Sequence, residues 1–347
     1  MGKREAWIDS CRFFAIFVIM TTHYLAMFLP DALLLWERMP TMLLLGGLTG
    51  KFSVAFFFVL LGYFASKPVR FTWKGTALYV LRRYRQLCFF VLVSALCYIL
   101  GSYGCAWIFH TPDENVLRVL SDGPRYNLIF AVRDAFLLED TYNATLWCMR
   151  QLFAASVLCR LLGCLPEHLD RRLRILTTLL ILSLSALTRS MWVWVGVGAL
   201  GFTLRLVLES DAYRRLCKKT AALAVLFLAA VCCIKAPLPE GAVLYLLQGI
   251  GALLLLLVLF RLNGVQRAFT ARPFPWLGKR SMGLFVVHTP INCLLASSLC
   301  PILMAHLPKA AALILGYCLS LTLSVTAAWL LHGAYARMTG RRVRAAE

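Results

Sequence analysis

Ten apolar stretches fill this chain, at 7–29, 46–65, 86–104, 144–164, 174–188, 190–208, 220–236, 242–260, 282–304 and 310–332. Crossing a bilayer takes about 20 mostly apolar residues. Backbone groups inside hydrocarbon must bond within their own segment or close into a barrel. Stretches of this length and apolarity therefore predict an all-α fold, a polytopic bundle of about ten transmembrane helices. Composition agrees: 61% of the 347 residues are hydrophobic and 15% charged, whereas a soluble domain is nearer half and a quarter. The shortest stretch is 174–188, and the second opens on the glycine-rich LLLGGLTGK. Residues 1–335 read as one transmembrane domain and 336–347 as a basic cytoplasmic tail.

The net charge of +20 could suggest nucleic acid, but its distribution excludes that class. Basic residues gather in alternate loops: Arg82, Arg83 and Arg85 after the second stretch, Arg171, Arg172 and Arg174 after the fourth. Further clusters follow the sixth, eighth and tenth. Cytoplasmic loops carry such an excess, so both termini are expected in the cytoplasm. The loop 105–143 holds more acids than bases and is expected outside; Asn143-Ala144-Thr145 within it fits a glycosylation sequon. The first stretch is too long for the core of a cleaved signal peptide and reads as a retained span. Thirteen scattered cysteines include no CxxC pair and read as small buried hydrophobes. No HExxH, phosphate-binding loop or metal-ligand cluster is present, so no metal is expected.

One polar stripe stands out. The first stretch carries Asp9, Arg12 and His23. On an ideal helix, Arg12 and His23 differ by only about 20° and rise about 16.5 Å, with Asp9 within roughly 60° of both. Ionisable groups at membrane depth face a bundle interior or a water-filled path. Imidazole titrates nearest neutrality, which makes His23 a candidate proton acceptor; the alternative is a buried histidine bonded to a neighbouring helix. Asp9 reads as the partner that holds Arg12, and Arg12 either binds an anion or snorkels to headgroups. Arg82, Arg83 and Arg85 suit phosphates or simply mark topology. Arg150 lies near an external end, where it contacts an acceptor or snorkels outward. Ser281 and His288 share a face about 10.5 Å apart on an ideal helix, which excludes a direct Ser–His pair. His288 then lines a path or is satisfied by another helix.

Four pieces together resemble the acyltransferase 3 family of integral membrane O- and N-acyltransferases. They are Asp9-x-x-Arg12 with His23 eleven residues on, FFFVLLGYF at 56–64, Arg82-Arg83-Tyr84-Arg85, and WLGKRSMGLFVVHTPI at 276–291. Leu61 stands where the family often has Ser, and LWCMRQLF at 146–153 lacks a Glu pair that many relatives carry.

The resemblance implies a multi-pass enzyme of the bacterial plasma membrane. Its donor would be a cytoplasmic acyl-CoA, usually acetyl-CoA, and its acceptor a hydroxyl or amine of a cell-surface glycan or lipid-linked precursor. It implies that His23 is catalytic and that Arg12, Arg82, Arg83 and Arg85 bind the donor. Asp9, Arg150, Ser281 and His288 take substrate-binding or structural roles, membrane lipids are partners and nucleic acid is not. The rival class is a non-enzymatic transporter or flippase, which would also carry a polar stripe through a bundle.

Overall fold

The computed structural model describes residues 6–30, 48–109, 128–138, 144–165, 175–178, 180–182, 184 and 192–340. Among them every regular element is helical. In chain order they are α1 (Ala6–Phe28), α2 (Gly50–Ala65), α3 (Trp73–Phe109), α4 (Leu128–Ala135), α5 (Cys148–Leu162), α6 (Val193–Leu208) and α7 (Asp211–Leu216). Then follow α8 (Thr220–Ile234), α9 (Ala242–Leu259), α10 (Asn263–Phe269), α11 (Phe274–Gly278), α12 (Ser281–Leu294), α13 (Cys300–His306) and α14 (Lys309–Met338). A 3-10 turn, Ala144–Trp147, leads into α5, and a π-helical turn, Leu295–Leu299, joins α12 to α13.

Five segments are long and apolar enough to cross a membrane: Ala6–Phe28, Trp73–Gly101, Thr145–Leu162, Ala242–Leu259 and Lys309–Met338. Four shorter apolar helices, α2, α6, α8 and α12, lie in expected spans. The expected fifth span, 174–188, is described only in part, at 175–178, 180–182 and 184, and Arg171, Arg172, Asn143 and residues 341–347 of the tail lie outside the described residues. Two helices run well past their expected limits. α3 starts at Trp73 rather than 86, because hydropathy marks where the bilayer begins while hydrogen bonding continues through the basic segment. α14 runs on to Met338, where Gly340 at φ 63° takes the left-handed conformation that often stops a helix.

The helices sort into two compact units. One comprises residues 36–84 and 148–271. Within it α2 packs on α6, α5 and α9, α6 packs on α5 and α9, and α8 on α9. Small residues let membrane helices approach closely, and here the contact is backbone to backbone. A Cβ on Gly62 would strike the Gly198 carbonyl, and one on Gly201 the Val59 carbonyl and Tyr63 nitrogen. Phe58 and Trp194 fill the space beside this contact, their rings 5.6 Å apart. The helix ends are tied by polar contacts: Lys51 pairs with Glu240, Val69 N donates to Gly163 O at 3.1 Å, and Tyr213 Oη donates to Leu257 O at 2.5 Å. Each contact joins ends that the charge alternation assigns to the same side.

The other unit comprises residues 1–35, 85–147 and 272–347. α1 packs on α11 and α12, α12 on α14, and α13 on α14. Gly278 of α11 lies against the Asp9 backbone so closely that a Cβ would strike the Asp9 carbonyl. Phe13 and Phe14 pack on Phe274, with ring centroids 6.0 and 5.1 Å away. Hydroxyls stitch the helices: Tyr24 Oη donates to Leu313 O and Thr21 Oγ1 meets Tyr317 Oη, each at 2.7 Å, and Ser320 donates to Asn292 Oδ1. Pro290 sits inside α12, where a proline removes the bond to the carbonyl four residues back. That carbonyl belongs to Val286, and Ser94 Oγ of α3 donates to it at 2.7 Å.

Candidate functional site

Inside this second unit, α1 and α12 bring two histidines together from opposite parts of the chain. His23 Nδ1 lies 2.9 Å from His288 Nε2. The ring planes differ by 12° and the centroids are 5.2 Å apart. That separation is too large for face-on stacking and matches two rings joined edge to edge in nearly one plane. Such alignment aims one ring's lone pair along the other's N–H, the favourable geometry for a hydrogen bond.

The surroundings of the pair hold its second ring firmly. His288 is fully buried. Its Nδ1 donates to Phe285 O at 2.8 Å, and its Nε2 lies 3.0 Å from Thr289 Oγ1. Thr289 Oγ1 in turn meets Thr145 Oγ1 at 3.1 Å, within the 3-10 turn that follows the loop expected outside. A line of polar contacts therefore runs from that loop's end to His23, which is the less buried of the two histidines.

Toward the start of α1, Arg12 Nη1 lies 3.7 Å from Asp9 Oδ1, so the predicted partners do meet. Asp9 is buried, and the Arg12 side chain is 26% exposed. Arg280 stacks on Trp276, its guanidinium carbon 3.9 Å from the ring centroid, and Nη1 donates to Trp276 O at 2.9 Å. Both Arg280 and Arg12 lie near enough to His332 to act on it electrostatically. His332 is half-buried on α14.

The remaining expected residues are spread more widely. Ser281 opens α12, buried, with no hydrogen-bond partner for its Oγ. It belongs to the same helix as His288 but does not bond it. Arg82 and Arg85 are exposed and Arg83 half-buried within about one turn of α3; Arg85 falls in the unit with the histidines, Arg82 and Arg83 in the other. Arg150, also in that other unit, is exposed near the start of α5 beside the buried Gln151. Sequence reasoning missed Arg205. It lies over Tyr63 at 4.5 Å, bonds that residue's carbonyl and pairs with Glu209 at 3.9 Å, a structural tie between α2 and α6.

Apolar helices of membrane-crossing length around a buried histidine pair define a multi-pass membrane protein with an ionisable site in its interior. The chain belongs to the acyltransferase 3 family: a family model described as an acyltransferase domain matches residues 5–333. Comparison with curated proteins and with solved structures gives no match. The family resemblance read from the sequence is therefore borne out over nearly the whole chain, and with it the class of membrane acyltransferase.

Proposed function

We propose that this membrane acyltransferase moves an acyl group, usually acetyl, from a cytoplasmic acyl-CoA to a hydroxyl or amine of a cell-surface glycan or lipid-linked precursor. The observation that carries the reading is the His23–His288 pair, an imidazole presented inside an apolar bundle on the helix that bears Asp9 and Arg12. His23 is the general base. It takes the proton from the acceptor oxygen or nitrogen as that atom attacks the thioester carbonyl. The carbon–sulfur bond then breaks, and the imidazolium returns its proton to the departing thiolate. Imidazole can play both parts, accepting as the neutral ring and donating as the imidazolium.

Arg82, Arg83 and Arg85 on α3 are the proposed contacts to the donor's phosphates, with planar forks suited to such oxygens. Arg12 is assigned to the same donor, held by Asp9. The basic-loop alternation supports cytoplasmic termini in a bacterial plasma membrane. Mass spectrometry of surface glycans from cells with and without the protein tests the reading, together with transfer from labelled acyl-CoA in isolated membranes. Acylated glycan that disappears with the protein, and label that moves only in its presence, are expected. Membranes that consume no acyl-CoA with any envelope acceptor would instead favour a transporter.

A further inference from the structure

The contacts of His288 determine where the hydrogens lie on His23. A carbonyl oxygen only accepts, so the 2.8 Å contact between His288 Nδ1 and Phe285 O requires hydrogen on Nδ1. The partners of His288 are a backbone carbonyl, a threonine hydroxyl and another imidazole, with no carboxylate among them. A neutral ring carries one N–H, so His288 Nε2 is bare. His23 Nδ1 lies 2.9 Å from that bare nitrogen. Two lone pairs would repel at this distance, so the hydrogen between the rings belongs to His23 Nδ1. A neutral His23 then has a bare Nε2.

We propose that His288 is a positioning residue: it accepts the Nδ1–H of His23, fixes that tautomer, and leaves His23 Nε2 as the nitrogen that takes the substrate's proton. The inference rests on the reading of His23 as the base. When Nε2 accepts a proton, His23 becomes a cation and its bond to His288 becomes charge-assisted, and such bonds are shorter and stronger. The contact therefore strengthens as the reaction proceeds, the condition for a contact to accelerate chemistry rather than merely bind substrate. A neutral imidazole does here what a carboxylate could do only by bringing a full charge into the membrane interior. Thr289 Oγ1 reaches both His288 Nε2, at 3.0 Å, and Thr145 Oγ1, at 3.1 Å. Thr145 Oγ1 can donate to Thr289 Oγ1 while the Thr289 hydroxyl shares the Nε2 lone pair with His23 Nδ1–H, so that no two lone pairs face each other.

The test is nitrogen NMR of the full-length protein labelled with ¹⁵N-histidine in lipid bilayers, with the His23 signal identified by its loss in His23→Gln. Wild type should show His23 as the Nδ1–H tautomer. His288→Phe, which offers no acceptor, should convert it to the Nε2–H form that free side chains prefer. His288→Gln, whose Oε1 accepts near the position of Nε2, should keep it as Nδ1–H. Turnover should fall about 10²–10³-fold in the Phe variant, with KM for acyl-CoA within about two-fold, and recover to within about ten-fold of wild type in the Gln variant. An Nε2–H signal for His23 in wild type, or an unchanged signal in a folded His288→Phe protein, overturns the proposal. Should His288→Phe fail to fold, the wild-type and Gln spectra decide it. The spectra need no substrate: absent acyl transfer with the expected tautomers would defeat the acyltransferase reading and leave the wiring supported, and transfer with the wrong tautomer the reverse.

Discussion

The two units bury their interiors in opposite ways. In the one built on α2, α5, α6 and α9, glycines let backbones touch and aromatic rings close the gaps. In the one built on α1, α11, α12 and α14, one glycine, Gly278, seats a backbone, but most contacts between helices run through hydroxyls and imidazoles, and α1 carries an ion pair of its own. Lipid tails are as apolar as leucine, so helix association in a membrane relies on close packing and interhelical hydrogen bonds. The first unit draws mainly on packing, which tolerates no added volume. The second keeps polar groups inside, where each must be satisfied and where one can do chemistry. Scaffold and site are thus separated by the kind of contact that holds them.

The contrast can be broken by substitutions that act on one kind of contact at a time. The largest effect is expected at His23. His23→Ala should lower acyl transfer about 10²–10⁴-fold, the usual worth of a general base, while the detergent melting temperature falls by no more than the ~1–2 °C of one lost interhelical hydrogen bond. His23→Gln keeps a hydrogen-bonding group but cannot act as a base near neutrality, so it should be nearly as inactive. Restoration of transfer by Gln would make His23 a packing residue like those of the other unit.

Gly201→Val should do the reverse. Its side chain meets backbone atoms of Val59 and Tyr63 that cannot swing aside. Overpacking of this kind costs about 1–3 kcal/mol, so the melting temperature should drop by about 2–5 °C while the folded fraction retains its rate. An unchanged melting temperature would mean that the backbone contact contributes nothing to the scaffold.

A smaller effect is expected from replacing Arg83 and Arg85 together with Gln. If the half-buried Arg83 and exposed Arg85 contact phosphates, acyl-CoA should bind about 5–10-fold more weakly, with less than about a two-fold change when Lys218 and Lys219 are replaced instead. Equal effects would reduce the α3 arginines to markers of topology. The smallest is Tyr317→Phe, which removes the hydroxyl facing Thr21 and leaves the ring. Interhelical hydrogen bonds in membranes average about 0.6 kcal/mol, so a fall of about 1–2 °C in melting temperature is expected with transfer intact.

Much of this was legible in the chain because membranes simplify the code. Apolar length marked most spans, and the 3.6-residue period put Asp9 beside Arg12 and excluded a Ser281–His288 pair. What the period cannot do is relate different helices. His23 and His288 are 265 positions apart, and no spacing rule reaches across that distance; α12's face was known but not the helix it turns toward. The Gly278–Asp9 contact was hidden for the same reason. The use of this glycine as a seat for another helix's backbone appears only after folding. Helix ends were misplaced where the helix outlasts the apolar stretch, as at Trp73 and Met338, because hydropathy measures the solvent and not the hydrogen bonds.

Pro290 and Ser94 carry a consequence for how the chain can change. The proline leaves the Val286 carbonyl without its usual donor inside α12, and a serine on α3 supplies one. A bare carbonyl in hydrocarbon is costly, so the fitness of a hydroxyl at 94 depends on the residue at 290. With a residue at 290 that restores the N–H, Ser94 becomes free to drift; with proline kept, Ser94 is constrained although it touches no substrate. The order of change is therefore constrained: Ser94 can vary freely only after position 290 has regained its N–H, a linkage across 196 residues set by a single missing proton.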